Sequence, residues 1–441
     1  MLEAAIERCR KAPLHHPEGV VLEVVGLIVE IGGIRAAVGD TLEIQAGTSA
    51  AVEVEVIGFK ADRLVTTPLG ALAGIRQGAR VTHTHRGASV KVGKELLGRV
   101  VDAFGRPMDG GPPMLASEHY PVHASPPSAF TRRPIDKQFS TGIRVIDGML
   151  PVGIGQRMGI FAGAGVGKST LLGMICRSSQ ADVNVVGLIG ERGRELNDFI
   201  RSSLGADGLS RSIVVAVTSD QPPLLRARGA ESATAIAEYF RDQGKTVLLV
   251  MDSVTRYAMA LREAALAAGE PPATKGYPPS VFAALPRLLE RAGTGGGAGT
   301  ISALYTVLVE GDDMTDPVAD AVRGILDGHI IMSRELAEKG HYPAIDVLQS
   351  ISRLAPEIAP DLVLRASAQV REILAAYRDA ADLIQVGAYQ AGSDPRVELA
   401  LKVMPHFDAY LRQTVSERTQ LMESRTRIQQ LAKLCQAGER R

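Results

Sequence analysis

The stretch Ala162-Gly163-Ala164-Gly165-Val166-Gly167-Lys168-Ser169-Thr170 leaves the chain few folds to choose from. An apolar strand around Met158–Phe161 runs into it, and a helix leaves it from Lys168. Glycines let the backbone curl so that several N–H groups converge on one anion, and the helix N-terminus adds positive potential at the same point. The binding set is therefore Gly163, Ala164, Gly165, Val166, Gly167, Lys168, Ser169 and Thr170. Lys168 reaches the β and γ phosphates of ATP, and Ser169 offers a hydroxyl to Mg²⁺. Ala162 stands where the strict P-loop pattern has its first glycine, and a methyl group is small enough to fit there.

Around this loop, apolar strands alternate with helices. Val183–Ile189, Ile213–Val217 and Thr246–Met251 are continuous apolar runs, and a helix is expected from Ala230 to Arg241. Continuous apolar strands between helices predict a parallel sheet covered on both faces. Such a sheet gathers at its carboxyl edge whatever its strands end in. One strand closes on Asp252, 84 residues after Lys168, where a magnesium ion and its waters would sit. Another runs into Gly190-Glu191-Arg192-Gly193-Arg194-Glu195, so Glu191 can orient and polarise an attacking water. Taken alone, each of these acids also reads as an ordinary strand end or a solvated turn.

Other segments frame this core. Leu2, Ala5, Ile6 and Cys9 form one helical stripe, giving a short amphipathic helix within residues 1–18. Over residues 19–92, short alternating runs (Val20–Ile31, Thr41–Ile44, Ala51–Phe59, Arg63–Thr67, Arg80–His85) separated by turns predict a small β-barrel. Seven prolines between Pro107 and Pro134 mark a connector. The sheet region extends over residues 93–355. Residues 356–441 read as helical: Leu362, Ala366, Val370, Ile373, Tyr377 and Ile384 form a stripe, Asp394-Pro395 is a cap with a first-turn proline, and Val415–Leu434 is helix-like.

Composition removes several function classes. Forty-nine basic residues cancel forty-nine acidic ones, so no whole-chain field favours a nucleic acid. Cys9, Cys176 and Cys435 are too scattered for a disulfide framework or a thiolate metal site, and His15/His16 and His83/His85 lack ligand spacing. No apolar run has membrane-spanning length and the start lacks a signal-peptide pattern, so a cytoplasmic protein is expected. Basic residues near the end (Arg425, Arg427, Lys433, Arg440, Arg441) read as a solvated helix face, with peripheral lipid contact as the alternative.

With these elements in this order the chain resembles the catalytic subunits of the rotary ATPases, and most closely the flagellar protein-export ATPases and their virulence type III secretion relatives. Leu97–Asp102, Gly142–Gly148, Asp252–Ala258, Tyr277–Phe282 and His341–Asp346 carry the likeness. It implies an α/β architecture with a RecA-like parallel-sheet P-loop ATPase core, an N-terminal β-barrel and a C-terminal helical domain. It implies that Glu191 activates water, with Arg192 beside it and Glu195 near the magnesium-bound waters, while Lys168, Ser169 and Asp252 keep the roles above. It assigns Tyr342 to stacking on adenine; the residue by itself would be an ordinary core aromatic. Arg353 corresponds to the arginine finger that enters the neighbouring subunit's site, which implies a homohexameric ring. Without the family it would be a surface arginine.

Regulatory copies in rotary synthases lack a carboxylate at the position of Glu191, so its presence marks a catalytic chain. Gly269–Tyr277 and Gly387–Asp394 are similar to the export ATPases, and Pro272–Tyr277 with Gly392–Asp394 to the flagellar ones. The resemblance implies ATP hydrolysis with Mg²⁺ at the cytoplasmic face of an export gate, freeing export substrates from chaperones and unfolding them. The N-terminal helix would bind a stator or regulator protein, and the helical domain chaperones and substrates. A stalk-like protein would enter the pore, with Gly269–Ser280 and Gly293–Gly299 as candidate pore loops. A virulence secretion ATPase is the alternative. A nucleic-acid motor and a non-catalytic ring subunit are further rivals; the neutral charge and aromatic-poor barrel oppose the first, and Glu191 with Arg353 in one chain the second.

Overall fold

The computed structural model describes residues 18–47, 51–114, 118–309, 311 and 313–439. The helix expected at residues 2–11 lies outside them. Six strands, β1 (Glu18–Val25), β2 (Ile28–Gly32), β3 (Asp40–Ile44), β4 (Val52–Lys60), β5 (Arg63–Pro68) and β6 (Arg80–Gly87), close into an antiparallel barrel in the order β1-β2-β5-β4-β3-β6. Alternation decides what faces inward: Leu42 and Ile44 are buried while Glu43 between them is exposed. The run Val20–Ile31, expected as one strand, is a hairpin. It turns at Gly26, whose φ of 58° lies in the left-handed region that glycine enters without strain.

The central sheet comprises β7 (Val100–Val101), β8 (Arg157–Ala162), β9 (Val183–Glu191), β10 (Ser212–Thr218), β11 (Thr246–Asp252), β12 (Thr300–Leu308), β13 (Gly328–Met332) and β14 (Ile345–Ser352). Its order is β14-β13-β8-β12-β11-β9-β10-β7, and β14 alone among these runs antiparallel to its neighbour. A short strand, Gly293–Thr294, adds to β12.

Successive residues of each strand serve opposite faces. Ile160, Val186, Leu188 and Val250 pack with helix α1 (Lys168–Ser178), whereas Phe161, Val185, Ile189 and Met251 pack with α2 (Pro223–Asp242) and α3 (Val254–Ala267). This two-sided burial is why the strands carry no polar alternation. Fully burying each such side chain is worth roughly 1.5–3 kcal/mol before entropy is counted.

The C-terminal helices α4 (Asp361–Gln385), α5 (Pro395–Leu411) and α6 (Leu421–Glu439) join the same apolar cluster as α1 through Val370, Ile373, Phe407 and Ile428. Asp394 caps α5 by accepting from Arg396 N at 2.8 Å, and Pro395 opens its first turn. Helix α6 begins only at Leu421; residues 412–420 before it form a non-helical link with a turn at 415–416. Arg228 on α2 pairs with Glu55 of the barrel, and Arg106 with Glu53 at 2.7 Å, fastening barrel to sheet. Among the described residues no helix is long and apolar enough to cross a membrane.

Candidate active site

The glycine loop joins the carboxyl end of β8 to α1. Gly165 and Gly167 hold φ of 80° and 91°, which bends the backbone around a concave mouth. Strands β9 and β11 end at the same edge, in Glu191 and Asp252. A cleft of about 790 Å³ opens there, lined by Gly163, Ala164, Gly165, Gly167, Lys168, Ser169, Thr170, Glu191, Arg192, Glu195, Asp252, Arg256 and Arg334. Val166 is buried with its side chain turned into the core cluster, so only its backbone is available to the loop.

Lys168 Nζ lies 2.5 Å from Asp252 Oδ1. Thr306, on the strand between β8 and β11, donates its hydroxyl to the same carboxylate oxygen at 2.7 Å and so fixes its rotamer. The donor chemistry beside the loop is hard and sparse: the Ser169 hydroxyl and the Asp252 carboxylate. Among the described residues no group of three or more His, Cys, Asp or Glu could hold a metal ion. A short set of oxygens fits Mg²⁺, which keeps several waters and takes its remaining ligands from substrate phosphates.

Glu191 is 8% exposed. Arg256, in the first turn of α3, donates from Nε to Glu191 Oε1 at 3.2 Å. Gly190 makes the approach possible, since a Cβ there would sit 3.0 Å from Arg256 Cδ. Burial first, then the hydrogen bond with Glu195 and the charge of Asp252, push Glu191 up to about 7, against the pull of Lys168 and Arg256. Glu195 moves the opposite way, lowered chiefly by its hydrogen bond with Glu191. Arg192 is largely exposed and stands 3.6 Å from Glu195. Sequence reasoning missed Arg256, which entered only as part of the segment Asp252–Ala258; its pairing with Glu191, 65 positions away, leaves no local signal.

A second pocket of about 650 Å³ shares Gly165, Gly167 and Thr170 with the cleft and continues to Tyr342, Pro343 and residues 412–415. Tyr342 is 46% exposed, and its ring edge would stand 3.3 Å from a Cβ on Gly167. An exposed ring beside an apolar recess at the far end of a phosphate loop suits a planar base.

Arg353 is not at this cleft. It follows β14, which runs antiparallel to β13, so it emerges at the opposite edge of the sheet. There its N–H donates to Asp327 O at 3.0 Å and its guanidinium to Arg323 O at 3.2 Å, while Asp327 grips Arg157 at the start of β8. The P-loop lies at the other end of β8, about 17 Å away along the strand.

Two family models match the chain: "ATP synthase alpha/beta family, nucleotide-binding domain" over residues 142–352 and "T3SS EscN ATPase C-terminal domain" over residues 360–430. The flagellum-specific ATP synthase of Pseudomonas aeruginosa is 51% identical, with 94% of this chain and 93% of that protein covered. The type 3 secretion system ATPase of Xanthomonas euvesicatoria is 49% identical, with 91% of each covered. Among solved structures, the assembled ATPase EscN from the enteropathogenic E. coli type III secretion system superposes with a TM-score of 0.87 at 42% identity, covering 94% of this chain and 100% of EscN. A second structure shows EscN in complex with its central stalk EscO, with the same similarity.

Proposed function

Since this chain belongs to the ATP synthase alpha/beta family, among the flagellum-specific ATP synthases and type 3 secretion system ATPases, we propose how its residues divide the work of hydrolysing ATP to energise protein export. The observation that carries the reading is the juxtaposition of Glu191, held by Arg256, with the P-loop and its Lys168–Asp252 pair in one cleft. Loop amides and Lys168 grip the triphosphate, and Lys168 exchanges Asp252 for phosphate oxygens as ATP enters. Ser169 and Asp252, with Glu195 beyond them, would hold Mg²⁺ and its waters, and the bound ion would supply positive charge beside the phosphate oxygens. Glu191 takes a proton from water as the water oxygen bonds the γ-phosphorus and the bond to the β-phosphate oxygen breaks, releasing ADP and phosphate. Arg192 stands beside it at the same mouth, 3.6 Å from Glu195. Tyr342 stacks on adenine.

We assign Arg353, at the opposite edge from its own cleft, to a neighbour's, and with it a homohexameric ring in which catalysis takes place. EscN is seen assembled and with a central stalk; we carry both features to this chain. The ring works at the cytoplasmic face of the export gate, with a stator protein at the N-terminal helix and chaperones and substrates at the C-terminal helices. We assign it to flagellar rather than virulence export on the segments Pro272–Tyr277 and Gly392–Asp394. Deleting the gene should remove flagella and leave other protein secretion intact; the reverse result would reassign the system.

Measuring phosphate release against protein concentration tests the shared site. Specific activity should climb with concentration, and Arg353→Ala mixed into wild type should poison it beyond simple dilution. Activity independent of concentration and indifferent to the variant would remove the ring.

A further inference from the structure

The wall of the base pocket facing Tyr342 comes from another domain. After α5 ends at Leu411 the chain leaves the helix extended at Arg412 and turns at 415–416, and Arg412, Gln413 and Glu417 line the pocket. Gln413 ties this segment down with both its side chain and its backbone. Its Oε1 accepts from Arg144 N at 2.8 Å, and its Nε2 donates to Gly142 O at 2.9 Å and to Glu417 O at 3.0 Å. Its own N–H donates to Tyr342 O at 2.9 Å. With only 4% of its surface exposed, this one residue ties together the start of the short helix Arg144–Met149, the pocket wall and the backbone of the stacking tyrosine.

Attachment of the C-terminal helices does not depend on it. Arg144 Nη1 donates to Ala409 O at 2.9 Å, Arg425 Nη2 to Gln138 Oε1 at 2.6 Å, and a continuous apolar cluster spans the same junction. What Gln413 adds is a fixed gap. The Tyr342 ring lies beside Gly167 on the loop side, and the wall opposite is held as a whole by Arg144 to Glu417 and by Arg177 Nη2 to Val415 O at 3.0 Å; the Gln413 bonds are the ones that tie that wall to the Tyr342 backbone.

We infer that Gln413 is a positioning residue for the nucleobase: it holds the Tyr342 ring and the C-terminal wall at one spacing, and so governs affinity for the adenine moiety without touching the grip on phosphates. The inference rests on the nucleotide site proposed above. It also gives the buried segment Gly142–Gly148 a role, as the anchor to which that wall is tied.

The test is equilibrium binding of ADP and of inorganic pyrophosphate, each with Mg²⁺, to the full-length protein. Gln413→Met keeps the volume and removes the side-chain bonds. It should weaken ADP about tenfold and pyrophosphate less than about twofold, with KM for ATP raised and kcat unchanged. Arg425→Ala removes a hydrogen bond across the same junction away from the pocket; it should lower Tm and change neither affinity. In a Tyr342→Ala background, Gln413→Met should weaken ADP by less than about twofold, because no ring is left to place. If Gln413→Met does not fold, Gln413→Glu, which keeps the acceptor for Arg144 N–H, is read with the same two ligands. A folded variant that binds both ligands like wild type, or loses both equally, overturns the inference. Wild type binding neither ligand would instead overturn the nucleotide site itself.

Discussion

Arg256 Nε stands 3.2 Å from Glu191 Oε1, joining two residues 65 positions apart at the carboxyl edge of one sheet. The contact orients the carboxylate and partly opposes the burial that keeps its proton on. Arg256→Ala should therefore lower kcat about tenfold or more and move the pH–rate midpoint upward, with Arg256→Lys in between. Initial rates between pH 6 and 9 check this, and an unmoved midpoint would show that the guanidinium does not act on Glu191.

As the proposed base, and with its proton held to about 7, Glu191 is competent only as pH rises through neutrality. Turnover at saturating ATP should rise about tenfold from pH 6 to pH 8, as the ionised fraction does. A flat profile over that range would place the base elsewhere.

The same shift has a stability consequence of opposite sign. A carboxyl whose folded pKa exceeds its ordinary value of 4.5 contributes stability below that value, and loses it as pH climbs to about 7. Glu191→Gln mimics the protonated form at every pH. It should raise stability relative to wild type at pH 8, by on the order of 1–3 kcal/mol, and much less at pH 5. Thermal unfolding at the two pH values measures the difference.

Gly167 is under two constraints: φ of 91°, and Tyr342 Cε1 at 3.3 Å from any added Cβ. Gly167→Ala should destabilise by about 1–3 kcal/mol and weaken ADP binding at least tenfold, because ring and loop cannot both keep their places. Calorimetry and fluorescent-ADP titration read the two effects.

The phosphate loop was legible because its chemistry is local: glycines at positive φ, one lysine, a strand before and a helix after. Asp252 and Glu191 were legible as strand ends, since a parallel sheet brings such ends to one edge. Strand β12 was not, because Thr300, Ser302 and Thr306 interrupt its apolar pattern although the strand is almost wholly buried. Arg256 escaped for a different reason. Its role exists only in the pairing with Glu191 and the space left by Gly190, and no local periodicity encodes either. Helix α6 was started too early at Val415 because nothing in that segment reveals the turn at 415–416 or the Gln413 bonds to Gly142 O and Glu417 O that keep the chain out of a helix there. Arg353 was assigned from family likeness; what the fold adds is that its own cleft is out of reach.

The most direct measurement compares ATP binding and phosphate release in purified wild type and Glu191→Gln under assembling conditions. The expected result is undiminished ATP affinity with turnover reduced at least a thousandfold, the loss of a base that acts only in the transition state. Phosphate release by Glu191→Gln at the wild-type rate would contradict the assignment of the attacking water to this carboxylate.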